Sequence, residues 1–353
     1  MGLAFSDVLL IPNYTDIVTR LDIDLSTTLA KGIKLNLPLV STNMSSVTES
    51  KMAITMALNG GMGLIHRFNT IKQEAKEVEK TKKHEFSLEK YPKAAVDKKG
   101  KLLVAASVGA NKDFLDRAKE LVKAGVDMLV MDIANGHNQL AMDAVKALKD
   151  KFPDTPIMAG NVATSEGIVS LADAGADCIK VGIGPGAICV TRIVTGVGVP
   201  QFTALRDCCR AAFQKKVTII SDGGCIVDGD KVKALAGGAS AVIVAGSVAG
   251  TDASPGNVVK INGKSYKEYY GSASNRQMKK IGKFNRVPEG VEGFVPYTGK
   301  LEHKLWQYEG SLRSGFSYVG ARNITQLWDK AKFMRITNAA LEESKVHDLI
   351  GIN

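Results

Sequence analysis

The run Val181-Gly-Ile-Gly-Pro-Gly-Ala-Ile-Cys-Val-Thr-Arg192 brings a thiol, a hydroxyl and a cation together at a glycine-rich turn. The apolar stretch Cys178 to Val181 reads as a strand that stops at this turn. Gly182, Gly184 and Gly186 permit positive φ angles or the close approach of a ligand, and Pro185 stiffens the turn between them. Cys189 is then presented on a loop, with Thr191 and Arg192 directly after it. A thiol held on a shaped loop beside polar groups is a candidate nucleophile. The competing assignment is a buried cysteine in a tight turn.

Four further segments carry chemistry. Ser221-Asp-Gly-Gly224 and Ala245-Gly-Ser247 each end an apolar run, and glycine turns of this kind suit a phosphate group bound by backbone N–H donors. Ordinary tight turns would use the same glycines. Asp222 cannot favourably touch phosphate, so it is assigned to ribose hydroxyls. Asp132 ends a very apolar run and either orients a ligand amide or ribose or caps the next helix. His137, close by, is left outside the catalytic set. Asn285-Arg-Val-Pro-Glu-Gly290 places Arg286 and Glu289 around a Pro and a Gly, and Glu289 is a candidate general acid/base delivered by a lid.

These residues need a scaffold that gathers strand ends on one face. Eight apolar runs begin at Leu39, Met62, Leu102, Met128, Ile157, Cys178, Val217 and Ala241, most of them followed by a stretch of helical spacing. Eight alternations predict an α/β fold, a (β/α)8 TIM barrel. The runner-up, an open doubly wound sheet, would want a Gly-x-Gly-x-x-Gly turn after its first strand, and none is there. Asn43, His66 with Arg67, Asp132, Asn161, Gly182, Asp222, and Gly246 with Ser247 all fall where runs end, which in a barrel is the face that carries the chemistry. Residues 1–353 are read as one barrel domain. A lid insertion is expected over residues 262–318, after strand eight, and residues 319–345 return to helical spacing.

Composition narrows the function class. A 353-residue chain, 45% hydrophobic and 23% charged, fits a soluble globular enzyme. The five cysteines are odd in number and form no Cys-x-x-Cys, which argues against a disulfide framework or structural zinc. A reducing, cytoplasmic setting is expected. No run reaches membrane-spanning length, and the first residues show no signal-peptide pattern. Gly2 with Ser6 fits the loose myristoylation pattern, but Phe5 to Pro12 reads better as structured protein. The net charge of +10 comes from scattered lysines without interleaved aromatics, so phosphorylated small ligands are expected rather than nucleic acid or membrane.

The cysteine run resembles the catalytic loop of the IMP dehydrogenase/GMP reductase family. Ile133-Ala-Asn-Gly-His137, Ile157 to Val162, Thr195-Gly-Val-Gly198, Ile220 to Cys225, Gly310 to Gly320 and, earlier, Phe5 to Pro12 extend the resemblance over essentially the whole chain. It implies a barrel, usually tetrameric, that binds a purine mononucleotide and a nicotinamide cofactor. Cys189 would attack purine C2, with Thr191 and Glu289 assisting. Tyr269, Gly271, Ser272, Arg286 and Gly290 would join Asp222, Gly224, Gly246 and Ser247 around the nucleotide. Asp132, Arg67 and Asn161 would face the cofactor, and Gly184, Gly186 and Cys189 would offer carbonyls to a monovalent cation such as K+.

Two activities occur in the family: NAD-dependent oxidation of IMP and NADPH-dependent reductive deamination of GMP. The resemblance favours the second. Tyr270-Gly-Ser-Ala-Ser-Asn-Arg-Gln-Met278 is similar to the short lid of the reductases. The Arg-Tyr pair that activates water in the dehydrogenases is absent from the sequence. Only the short link 84–101 stands where dehydrogenases usually carry a pair of CBS modules. Val47-Thr-Glu-Ser50, Tyr91-Pro-Lys-Ala94 and Val287-Pro-Glu-Gly290 point toward the dehydrogenases instead. Ala187, Met44-Ser-Ser46 and Arg67 depart from the patterns of both branches.

Overall fold

The computed structural model describes residues 1–110, 112–282 and 287–346. Eight parallel strands close into a barrel: β1 Leu39–Ser41, β2 Met62–Ile65, β3 Val104–Val108, β4 Met128–Asp132, β5 Ile157–Val162, β6 Cys178–Val181, β7 Thr218–Ser221 and β8 Ala241–Val244. Each strand pairs with its sequence neighbours, and β8 closes onto β1. The strands read as apolar runs rather than alternating ones because both faces are covered. Inside, Val40, Leu64, Ala105, Val130, Met158, Cys178, Ile220 and Ile243 form one cluster, closed at the base by Leu29, Ile33 and Leu35 of the hairpin Thr27–Ala30/Ile33–Leu35. Outside, a larger cluster joins the strands to the helices.

The helices are α1 Ser50–Leu58, α2 Ile71–Lys82, α3 Phe114–Lys123, α4 Gln139–Lys151, α5 Ser165–Asp173, the short α6 Thr191–Thr195, α7 Gln201–Lys215, α8 Asp228–Ala236 and the single turn α9 Gly246–Ala249. Thr70, Asn138 and Thr164 accept from backbone N–H groups at the starts of α2, α4 and α5, which satisfies donors the helix leaves free. The strand and helix alternation is the predicted (β/α)8 architecture.

The stretch 262–318 divides in two. Its first part belongs to a flap in which β9 Val259–Ile261, β10 Lys264–Tyr270 and β11 Glu292–Pro296 make an antiparallel sheet, with the short α10 Asn275–Lys280 between the last two strands. Residues 301–319 are no part of that flap. They form the long α11 Leu301–Val319, which buries Leu301, Leu305, Tyr308, Leu312 and Phe316 and packs along α8. Glycines hid this helix in the sequence, and Gly315 is the reason α8 comes close: a Cβ there would stand 2.5 Å from Val232 Cγ1. Beyond it, α12 Ile324–Lys330 and α13 Asn338–Glu343 flank a strand, Phe333–Arg335, that pairs antiparallel with Val8–Leu10. No helix among the described residues is long and apolar enough to cross a membrane.

Candidate active site

Cys189 lies half-buried in the β6–α6 loop, under the flap. Its Sγ–H donates to Thr191 Oγ1 at 3.2 Å, and the Thr191 hydroxyl donates to Glu289 Oε2 at 2.9 Å. A thiol, a hydroxyl and a carboxylate separated by up to a hundred residues thus form one line along which a proton can pass. Backbone bonds hold the line: Val190 N–H donates to Glu289 O (2.9 Å), Val291 N–H to Ile188 O (3.0 Å), and Gly290 bridges to Cys189. The loop turns at Gly184, whose φ of +86° favours glycine, and a Cβ there would stand 2.7 Å from Arg192.

Beside this line sits a charged centre that the sequence reading missed in part. Asp132, Gly160 and Lys180 stand in register on β4, β5 and β6. Lys180 is almost fully buried. Its ammonium pairs with Asp132 and lies 3.5 Å from Asp222 Oδ2. Burial alone would raise the Asp132 carboxyl, but the Lys180 ammonium, helped by Arg67, holds it below the usual range. Burial likewise opposes the charge on Lys180, yet Asp132 and Asp222 keep its pKa above the usual lysine value. The only sign of this residue in the sequence is a lysine within the apolar run Cys178 to Val181.

Asn161 donates to Asp222 Oδ2 (2.8 Å) and to Gly182 O (2.9 Å). Both amide N–H groups are therefore committed within the chain, so Asn161 orients Asp222 rather than offering those donors to a cofactor. Arg67 differs: its Nε is buried without a partner and its guanidinium stands over the Phe68 ring. An unsatisfied buried cation donor next to Asp132 fits an anionic or polar cofactor group. His66 is buried, 3.4 Å from Glu49 Oε1. His137 is exposed and meets Ser170.

The two glycine turns are also tightly packed within the chain. Gly224 has φ +81°, but its N–H is bound to Pro185 O at 3.1 Å, and a Cβ would stand 2.8 Å from Gln201 Cβ. A Cβ on Gly246 would meet the Tyr269 ring at 3.2 Å. Close packing against Gln201 and Tyr269 thus gives each of these positions a reason of its own to be glycine. Gln201, not singled out in the sequence, donates to Val181 O (2.7 Å) and Ser221 Oγ (3.1 Å), and so ties the β6 and β7 ends together. Ser247 is exposed, Ser272 half-buried and Tyr269 buried, its phenol pushed up by burial. Gly271 faces Ile188 of the cysteine loop. Arg286 lies outside the described residues.

The residues expected to offer carbonyls to a cation, Gly184, Gly186 and Cys189, all lie in this loop. Gly186 O already accepts from Cys189 N–H at 3.0 Å, and the Arg192 side chain packs against Gly184. A groove of about 620 Å³ between residues 9–12, α8 and α11 takes in none of the residues of the cysteine line or the charged centre.

A closed parallel barrel with a thiol, hydroxyl and carboxylate aligned at its C-terminal face defines a class of barrel enzyme suited to thiol chemistry. Residues 2–347 match the IMP dehydrogenase / GMP reductase domain, and the chain belongs to that family of oxidoreductases of purine metabolism, which use a nicotinamide cofactor. It is 41% identical to the inosine-5'-monophosphate dehydrogenase of Borreliella burgdorferi, covering 99% of this chain and 98% of that one. Identity to the Aquifex aeolicus enzyme of the same name is 38%, with 99% and 96% covered. Among solved structures, a cysteine-to-alanine variant of GMP reductase from Trypanosoma brucei, in complex with guanosine 5'-monophosphate, superposes with a TM-score of 0.94 at 31% identity, covering 99% and 98% of the two chains.

Proposed function

We propose that this protein is a GMP reductase, converting GMP to IMP and ammonia with NADPH. The observation that carries this reading is the Cys189–Thr191–Glu289 line in a chain with no Arg-Tyr pair for activating water. The Cys189 thiolate adds to purine C2, and the C2=N3 electron pair moves to N3. Glu289, through Thr191, brings a proton to the departing amine, which leaves as ammonia while the C2=N3 bond re-forms and the C2–S bond stays. The nicotinamide cofactor supplies the hydride that C2 gains. Loss of the thiolate then frees IMP.

Asp222 accepts from the ribose hydroxyls, oriented by Asn161 and Lys180. Ser247 and the turn at Gly246 lie at the β7–β8 end where barrels bind phosphate. Arg67 and Asp132 would hold the cofactor.

IMP dehydrogenase is the second reading. The curated relatives named above support it, as does Val287-Pro-Glu-Gly290. One assay separates the two: NADPH oxidation with GMP against NAD reduction with IMP. Turnover of GMP with ammonia release is expected, and NAD reduction with IMP alone would overturn the reductase reading. A silent nucleotide-binding barrel would turn over neither.

A further inference from the structure

Glu289 reaches Thr191 only if the flap is held at one height above the cysteine loop. Its backbone N–H donates to Ala273 O at 3.2 Å, immediately before α10. The first turn of α10 is therefore the seat of Glu289. That turn is closed by Ser274, whose hydroxyl accepts from Gln277 N–H (3.3 Å). Ser274 and Gln277 are both fully buried.

The turn is in turn fastened to the barrel. Ser45 Oγ–H, in the loop after β1, donates to Gln277 Oε1 at 2.7 Å, a buried contact across 232 residues of sequence. Next to it, the Ser46 hydroxyl donates to Tyr270 O (2.9 Å) and accepts from Tyr270 N–H (3.3 Å). The first barrel loop thus grips both ends of the segment that seats Glu289.

We infer that Ser45 and Gln277 are positioning residues that set the Glu289 carboxylate against Thr191. Neither touches the Cys189–Thr191–Glu289 line itself. They act through Ala273 and the backbone of residues 289–291. Losing the contact lets the α10 turn shift, which lengthens the proton path and loosens the cover on Cys189. Asp222 and the β7–β8 turns, proposed for the ribose and phosphate, lie outside that segment. The turnover part of this inference rests on the proposed role of Glu289, whereas the cover on Cys189 does not.

The test uses Ser45→Ala, Gln277→Leu and the double variant in the full chain, each shown to be folded by its thermal transition. Two quantities are read: steady-state kcat and nucleotide KM, and the rate at which iodoacetamide modifies Cys189, followed by mass spectrometry without substrate. Each single variant is expected to lower kcat by about tenfold, as a misplaced proton donor does. Nucleotide KM should stay within about twofold. Alkylation of Cys189 should be several times faster, and the double variant should match the worse single one, because both remove one contact. Unchanged kcat and alkylation in Ser45→Ala overturn the inference, as does a loss confined to KM or losses that add in the double variant. Should the parent turn over neither nucleotide, the functional reading fails, and the alkylation rates alone then decide whether the contact holds the flap over Cys189.

Discussion

Lys180 reaches Asp132 from the second strand over, crossing β5 at Gly160. No side chain intervenes, and none would fit: a Cβ on Gly160 would stand 2.8 Å from Lys180 Cβ and 2.9 Å from its carbonyl oxygen. The glycine is the gap through which a buried ammonium joins a carboxylate at the mouth of the barrel. The same ammonium stands 3.5 Å from Asp222. One cation thereby orders the acids proposed for the cofactor and for the ribose.

Gly160→Ala should accordingly break the Lys180–Asp132 contact without introducing any charge. Overpacking at such a site costs about 1–3 kcal/mol. The expected result is a lower thermal midpoint together with weaker binding of both nucleotide and cofactor. A variant that keeps the parental midpoint and both affinities would show that the strands can part there at no cost.

The pH dependence of this centre follows from the sign of its shifts. Asp132 has its pKa below the ordinary 3.8 when folded. Its stabilising contribution is complete above 3.8 and lost as pH falls through the lower folded value. Lys180 has its pKa above the ordinary 10.5, so its contribution is present below 10.5 and lost as pH rises through the higher folded value. Removing one partner of a buried pair costs about 3 kcal/mol. The stability lost in Asp132→Asn should therefore be flat from about pH 5 to about pH 9 and shrink in strong acid and in strong base. Denaturant unfolding at several pH values measures it, and a slope inside that window would mean that another group controls the pair.

How much of this was visible in the chain differs by residue. The eight strands were, because strands covered on both faces must be continuously apolar. Cys189, Thr191 and Glu289 were, because each lies in a local pattern with its own chemistry. Lys180 was not: a lysine in a short strand reads as an edge position, and only closure of the barrel turns it inward to meet two aspartates. The reason for Gly224 and Gly246 was hidden for the same cause, since Gln201 and Tyr269 become their neighbours only in the fold. Gln277 carried no signal, for its partner Ser45 is distant in sequence and neither type is diagnostic.

Thiol reactivity should single out Cys189. Burial pushes the thiols of Cys178, Cys208 and Cys225 up to about 12, leaving almost no thiolate at neutral pH. Cys189, Cys209 and Cys225 are half-buried, but the raised thiol of Cys225 leaves it unreactive, and Cys209 donates to Arg206 O. Limited iodoacetamide treatment followed by peptide mapping should find Cys189 modified first, with loss of turnover in step and protection by a bound purine mononucleotide. Modification of Cys209 ahead of Cys189, with activity lost in parallel, would place the nucleophile elsewhere.

The proton path gives the most discriminating substitution. Glu289→Gln keeps the shape of the side chain and an oxygen that accepts from Thr191, but it can no longer take up and release a proton. Removing general acid–base catalysis costs about a hundredfold or more. Ammonia release from GMP should fall by that factor, while the KM for GMP stays close to the parental value because Asp222 and the β7–β8 turns are untouched. Cys189→Ala provides the contrast: turnover should disappear and nucleotide binding persist. NADPH oxidation coupled to ammonia detection follows both variants. If Glu289→Gln released ammonia at nearly the parental rate, the 2.9 Å contact between Thr191 and Glu289 would hold the flap in place and carry no proton.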